Sequence, residues 1–189
     1  LVVTAALAFA GMGLAALSWA AAQVLVVPGT GTQVPPPDYL KNSINYYVDP
    51  AIDCTSRGGC GSGIGVDYPA QFWPIPLAGW GGLSGKKWND SVGQGVASLA
   101  FQHGVATKNS DGGQIVIFGY SQGATVSSRY KTYLSTSPST MPTATDLQFV
   151  LIGNPNRPNG GLFERLAILG TVPILDATFG QPTPTDTTP

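Results

Sequence analysis

The chain of 189 residues has the length of one domain with room for a substantial core. Its net charge of −1 argues against nucleic-acid binding and against electrostatic attachment to a membrane. Charged residues make up only 10 %, against a usual ~25 %, so the surface suits the cell envelope or an apolar substrate.

Residues 1–22 hold no charge, and the first charged residue is Asp38. This stretch reads as a signal peptide or membrane anchor, long enough to cross a bilayer, with Ala20-Ala21-Ala22 as a small-residue cleavage site. A buried core helix is the alternative, disfavoured because the stretch has no polar face. It has neither a positive n-region nor an initiator Met, so the sequence is expected to start inside the gene product or at a non-standard start. The domain is then 23–189.

Residues 24–27 form a β-branched buried strand that ends at Pro28, with Gly29-Thr30-Gly31-Thr32 directly behind it. That loop lacks the Lys of a phosphate-binding loop and the third Gly of a dinucleotide fingerprint, which argues against nucleotide binding. Residues 39–48 suggest a short helix. Cys54 and Cys60 most simply form one disulfide around a Gly-rich loop. A metal site is disfavoured by the single His and the lack of a second Cys pair. Residues 64–69 read as a strand. The Gly/Pro/Trp-rich residues 73–85 read either as a substrate lip or as a cover for the core edge.

Asp90 or Ser91 is expected to cap a helix running to about Thr107, with Val92, Val96, Leu99 and His103 on one stripe. His103 is the only His. It precedes the strand that carries the candidate nucleophile and lies near that strand's starting end, so it reads as structural.

The chain is organised around residues 114–123. Ile115-Val116-Ile117-Phe118 is a short β-branched run bounded by glycines. Gly119-Tyr120-Ser121-Gln122-Gly123 follows, and Ala124, Val126, Tyr130 and Leu134 then recur at helical spacing. Strand, tight Gly-x-Ser-x-Gly turn and helix make a nucleophile elbow with Ser121 as nucleophile; the alternative is an ordinary Gly-rich βα turn. In such an elbow the amide of the following residue, Gln122, is one oxyanion donor. The second comes from a loop after an earlier strand, here Thr30 or Gly31. Residues 147–153 read as a further apolar strand and 154–161 as a polar loop, either a pocket wall or a plain Asn/Pro/Gly turn. Residues 172–176 read as a further extended segment.

Four stretches, VLVVPGTGT (24–32), NDSVGQGVASL (89–99), GYSQGATVSSR (119–129) and FVLIGNPNRPNGGLFER (149–165), together resemble the mycobacterial PE-PPE domain, a serine α/β-hydrolase domain related to cutinases; VPILDATFG (172–180) also fits. The resemblance implies a cutinase-like three-layer fold with a mainly parallel sheet, a secreted or envelope location, and esterase or lipase activity on short to medium acyl esters or lipids, without a cofactor. Ser121 matches the nucleophile, Gln122 one oxyanion donor and the Thr30 region the other. The family's acid and His correspond to positions beyond residue 189, so the domain is expected to be incomplete at its C-terminus. Asp176 and Asp186 qualify as acids by order alone. Two readings follow: an esterase, or a catalytically inactive envelope module on the same fold.

Overall fold

The computed structural model describes residues 21–54, 58–109, 113–136 and 147–185. Four strands, β1 (Gln23–Val27), β2 (Ile64–Gly65), β3 (Ile115–Tyr120) and β4 (Leu147–Ile152), form one parallel sheet in the order β2-β1-β3-β4. Leu25 stands opposite Ile64 on one side and Ile117 on the other, and Ile117 stands opposite Phe149. The inner strands β1 and β3 carry continuous apolar runs rich in Val and Ile because both of their faces are covered.

Side chains alternate across the sheet. Leu25, Val27, Ile115 and Ile117 meet Val92, Leu99 and Ala106 of α3 (Trp88–Asn109) and Val126, Tyr130 and Leu134 of α4 (Gln122–Ser135). Val24, Val26, Val116 and Phe118 meet the opposite layer, α1 (Pro37–Ser43) with the wider helical turn Ile44–Val48 and α2 (Asp49–Ile52). Each fully buried aliphatic side chain contributes roughly 1.5–3 kcal/mol. Helices on both faces of a parallel sheet make the expected three-layer α/β-hydrolase sandwich. Every strand ends on the same rim.

Several local expectations change. Ala22, excluded by sequence with residues 1–21, is buried and bridges to Cys60 just ahead of β1: its amide donates to Gly59 and its carbonyl accepts from Gly61. Residues 1–20 lie outside the described residues. β2 is two residues rather than six; after Val66 bonds to Val26, Tyr68 turns away to Gln33 and Pro69 has no amide to continue the ladder. α3 starts at Trp88, ahead of the expected caps. Its first amides, Trp88 and Asn89, donate to the carbonyls of Leu175 and Asp176. Those carbonyls belong to a hairpin, β5 (Thr171–Val172) and β6 (Ala177–Thr178), that replaces the expected single extended segment. α5 (Leu162–Arg165) precedes it. Among the described residues no helix is long and apolar enough to cross a membrane.

Candidate active site

One residue, Ser121, separates the end of β3 from the start of α4, at φ 54° and ψ −116°. A non-glycine residue held in such a region costs about 1–3 kcal/mol and persists only when its surroundings over-determine it. Here they do. The Ser121 amide donates to Ile152 at 3.1 Å, and its carbonyl accepts from Ala124 and Thr125. The flanking glycines follow from close approach. A Cβ on Gly119 would lie 2.8 Å from the Gly123 carbonyl oxygen, and one on Gly123 would collide with the carbonyls of Val27 and Pro28. The pentapeptide is therefore the sequence needed to pass α4's first turn over the end of β1. Ser121 is left half-buried on the carboxyl rim.

Gln122 opens α4, so its amide has no intrahelical acceptor and lies at the positive end of the helix. Its side chain is fully buried: Nε2 donates to the Gln71 carbonyl at 2.9 Å, and Oε1 accepts from Ser91 Oγ at 3.1 Å. The loop after β1 lies flush against the elbow, since a Cβ on Gly29 would come within 3.2 Å of Ser121 Cβ. Of the two candidate donors on that loop, Gly31 is committed elsewhere: its amide donates to Ala70 at 2.7 Å. Thr30 is left as the candidate.

Residues 73–85 pack onto this loop. Gly79 abuts the Gly31 carbonyl, and Trp80 stacks on Phe72, which meets Trp88 edge-on. The segment both flanks the candidate site and covers the core, while Leu83 stays 83 % exposed. Gly153 touches the ring of Tyr120, but the rest of the 154–161 loop is structural: buried Asn156 donates to Gln181 and Asn154 to Thr183. Two cavities, about 440 and 340 Å³, open beside Phe149 and beside Leu40, and neither is lined by Ser121.

His103 is buried, with Nδ1 2.7 Å from the Tyr130 hydroxyl. Burial lowers its proton affinity and pushes Tyr130 up to about 12, so the pair is a neutral imidazole hydrogen-bonded to a protonated phenol. Tyr130 lies nine residues along α4 from Ser121, roughly 13 Å at helical rise. The burial of His103 and its bond to that phenol support the structural reading. Asp176 Oδ1 accepts from Asn89 at 3.1 Å, and Asn89 in turn accepts from Arg129. Asp186 lies outside the described residues. Cys54 and Cys60 are disulfide-bonded, so the nearby Asp49 and the two sulfurs offer no thiolate to a metal. Gln71, Ser91 and Tyr68 were not singled out from sequence for the site. Ser91 resembled a helix cap, and nothing local marks residues 68–71 as neighbours of residue 122.

The PE-PPE domain profile matches residues 62–188. "Esterase PE16" of Mycobacterium tuberculosis (strain ATCC 25618 / H37Rv) is 34 % identical over 161 residues, covering 85 % of this chain and 28 % of the relative. The chain thus spans less than a third of that relative's length. Among solved structures, lysin B from Mycobacteriophage D29 aligns with TM-score 0.42 at 24 % identity, over 74 % of this chain and 48 % of its own. An acetylxylan esterase aligns with TM-score 0.46 at 22 % identity, over 76 % and 67 %.

Proposed function

The chain belongs to the PE-PPE domain family, and on that footing we propose that it is a serine esterase or lipase module with Ser121 as nucleophile. The observation that carries this is the backbone of Ser121, held at φ 54° between a strand and a helix with the loop after β1 pressed against it. Ser121 Oγ attacks the carbonyl carbon of an acyl ester while its proton passes to a base. The carbonyl oxygen becomes an oxyanion facing the Gln122 and Thr30 amides, the alcohol departs with a proton, and water then cleaves the acyl-serine. Each oxyanion donor is worth roughly 3–4 kcal/mol. Membership of the family favours short to medium acyl chains or lipid, and the low charge favours an envelope or secreted setting. The reading calls for no cofactor or metal.

A second reading, a hydrolase-like envelope module without turnover, is favoured by one observation: His103, the single His of the sequence, is engaged with Tyr130. Hydrolysis of p-nitrophenyl butyrate by the full chain, beside S121A, separates the two. Turnover above the S121A rate supports the esterase. Equal rates in a folded protein support the silent module.

A further inference from the structure

The two halves of the candidate oxyanion hole come from loops far apart in sequence, after β1 and after β3. Four consecutive residues, 68–71, bind both. The Tyr68 hydroxyl donates to the Pro28 carbonyl at 2.6 Å. The Ala70 carbonyl accepts the Gly31 amide at 2.7 Å. These two bonds hold the backbone immediately before and after Gly29-Thr30. On the other side, the Gln71 carbonyl accepts Gln122 Nε2, the Gln71 amide donates to Ser91 Oγ at 3.0 Å, and Ser91 Oγ donates to Gln122 Oε1. Gln71, Ser91 and Gln122 thus close a three-membered ring of hydrogen bonds around the residue whose amide faces the oxyanion.

The ring is buried. Ser91 and Gln122 are fully enclosed, and every hydrogen-bonding atom of the Gln122 side-chain amide group faces a partner in it. Tyr68 keeps its proton, because burial pushes its hydroxyl well above the ordinary value, so it remains a donor. Ala70 sits at φ 48° while wholly buried, a strained backbone in a residue with no side-chain chemistry. Strain held in place by packing marks a segment whose path matters. That path lets one short stretch reach both loops.

We infer that residues 68–71 form a strap that sets the spacing of the two oxyanion donors, with Tyr68, Gln71 and Ser91 as positioning residues acting through Pro28–Thr30 and Gln122. This rests on the esterase reading of Ser121. An oxyanion donor acts on the tetrahedral intermediate and not on the bound ester, so loosening the strap lowers kcat and leaves KM in place. A displacement near 1 Å at such a site costs roughly a hundredfold in rate.

The experiment uses the full chain, with Ser91→Ala and Tyr68→Phe measured beside wild type and S121A on p-nitrophenyl butyrate. Butylboronic acid serves as a second readout; its boron takes Ser121 Oγ and becomes a tetrahedral anion in the same hole. The strap predicts kcat lower by roughly a hundredfold at unchanged KM, with butylboronic acid affinity falling in parallel. A variant whose turnover per folded molecule, by circular dichroism, equals wild type overturns the strap and leaves the esterase reading standing, as does a rise in KM alone. Wild type no faster than S121A overturns both, and is seen before any strap variant is compared.

Discussion

Gly123 shows how little freedom the elbow has. Its missing side chain is the space taken by the Val27 and Pro28 carbonyls, backbone atoms that no rotamer change can move. Gly123→Ala is therefore expected to cost about 3 kcal/mol, near the top of the range for overpacking. Thermal unfolding should show Tm lower by roughly 6–12 °C. His103 makes a different prediction. Folding favours its neutral form, so its contribution to stability is complete above the ordinary value of 6.5 and is lost as pH falls from there toward the lowered folded value. A Tm series from pH 7.5 to 5 should fall on acidification, and less steeply in His103→Gln. The same variant should keep any Ser121-dependent turnover; losing it while folded would make His103 the base.

At the scale of elements, α3 carries glycines with opposite roles. A Cβ on Gly95 would press into Val126 and Tyr68, so that glycine lets α3 approach α4 closely. Gly93 and Gly104 face open space. There glycine only adds unfolded-state freedom, and Gly93→Ala and Gly104→Ala should each stabilise by about 0.5–1 kcal/mol. A rise in Tm for both, with circular dichroism unchanged, checks this. α3 also shows what was legible in the sequence. Its apolar stripe was plain, as were the β3 run, the elbow glycines and the helix after them, because local periodicity and turn chemistry encode all of these. Its first turn was not. The carbonyls of Leu175 and Asp176 satisfy amides 87 residues earlier, and no local pattern records so distant a partner. The strap at 68–71 was hidden for the same reason: Gln122 meets Gln71 only through the tertiary fold. The apolar run of β4 was legible as a strand; that most of its residues are half-exposed was not, because it pairs on one side alone among the described residues.

For the molecule as a whole, the Cys54–Cys60 link bears on how the sheet is entered. Gly59 and Gly61, on either side of Cys60, hold Ala22 at the start of β1. The bridge closes a short loop, so reduction should cost about 2 kcal/mol. Dithiothreitol is then expected to lower Tm by roughly 4–8 °C; no change would mean that the anchoring of Ala22 survives without the bridge. The strand order has a longer reach. β1 pairs with β2 and β3, and β3 begins about ninety residues after β1. At 5–20 residues per second of synthesis, β1 waits roughly 5–20 s for its principal partner. During that interval the central strand of the sheet has no long partner, and the nascent chain remains threadable. The topology that buries β1 most completely in the finished molecule also makes it a late strand to settle, and extends the time in which a chaperone can hold the chain unfolded.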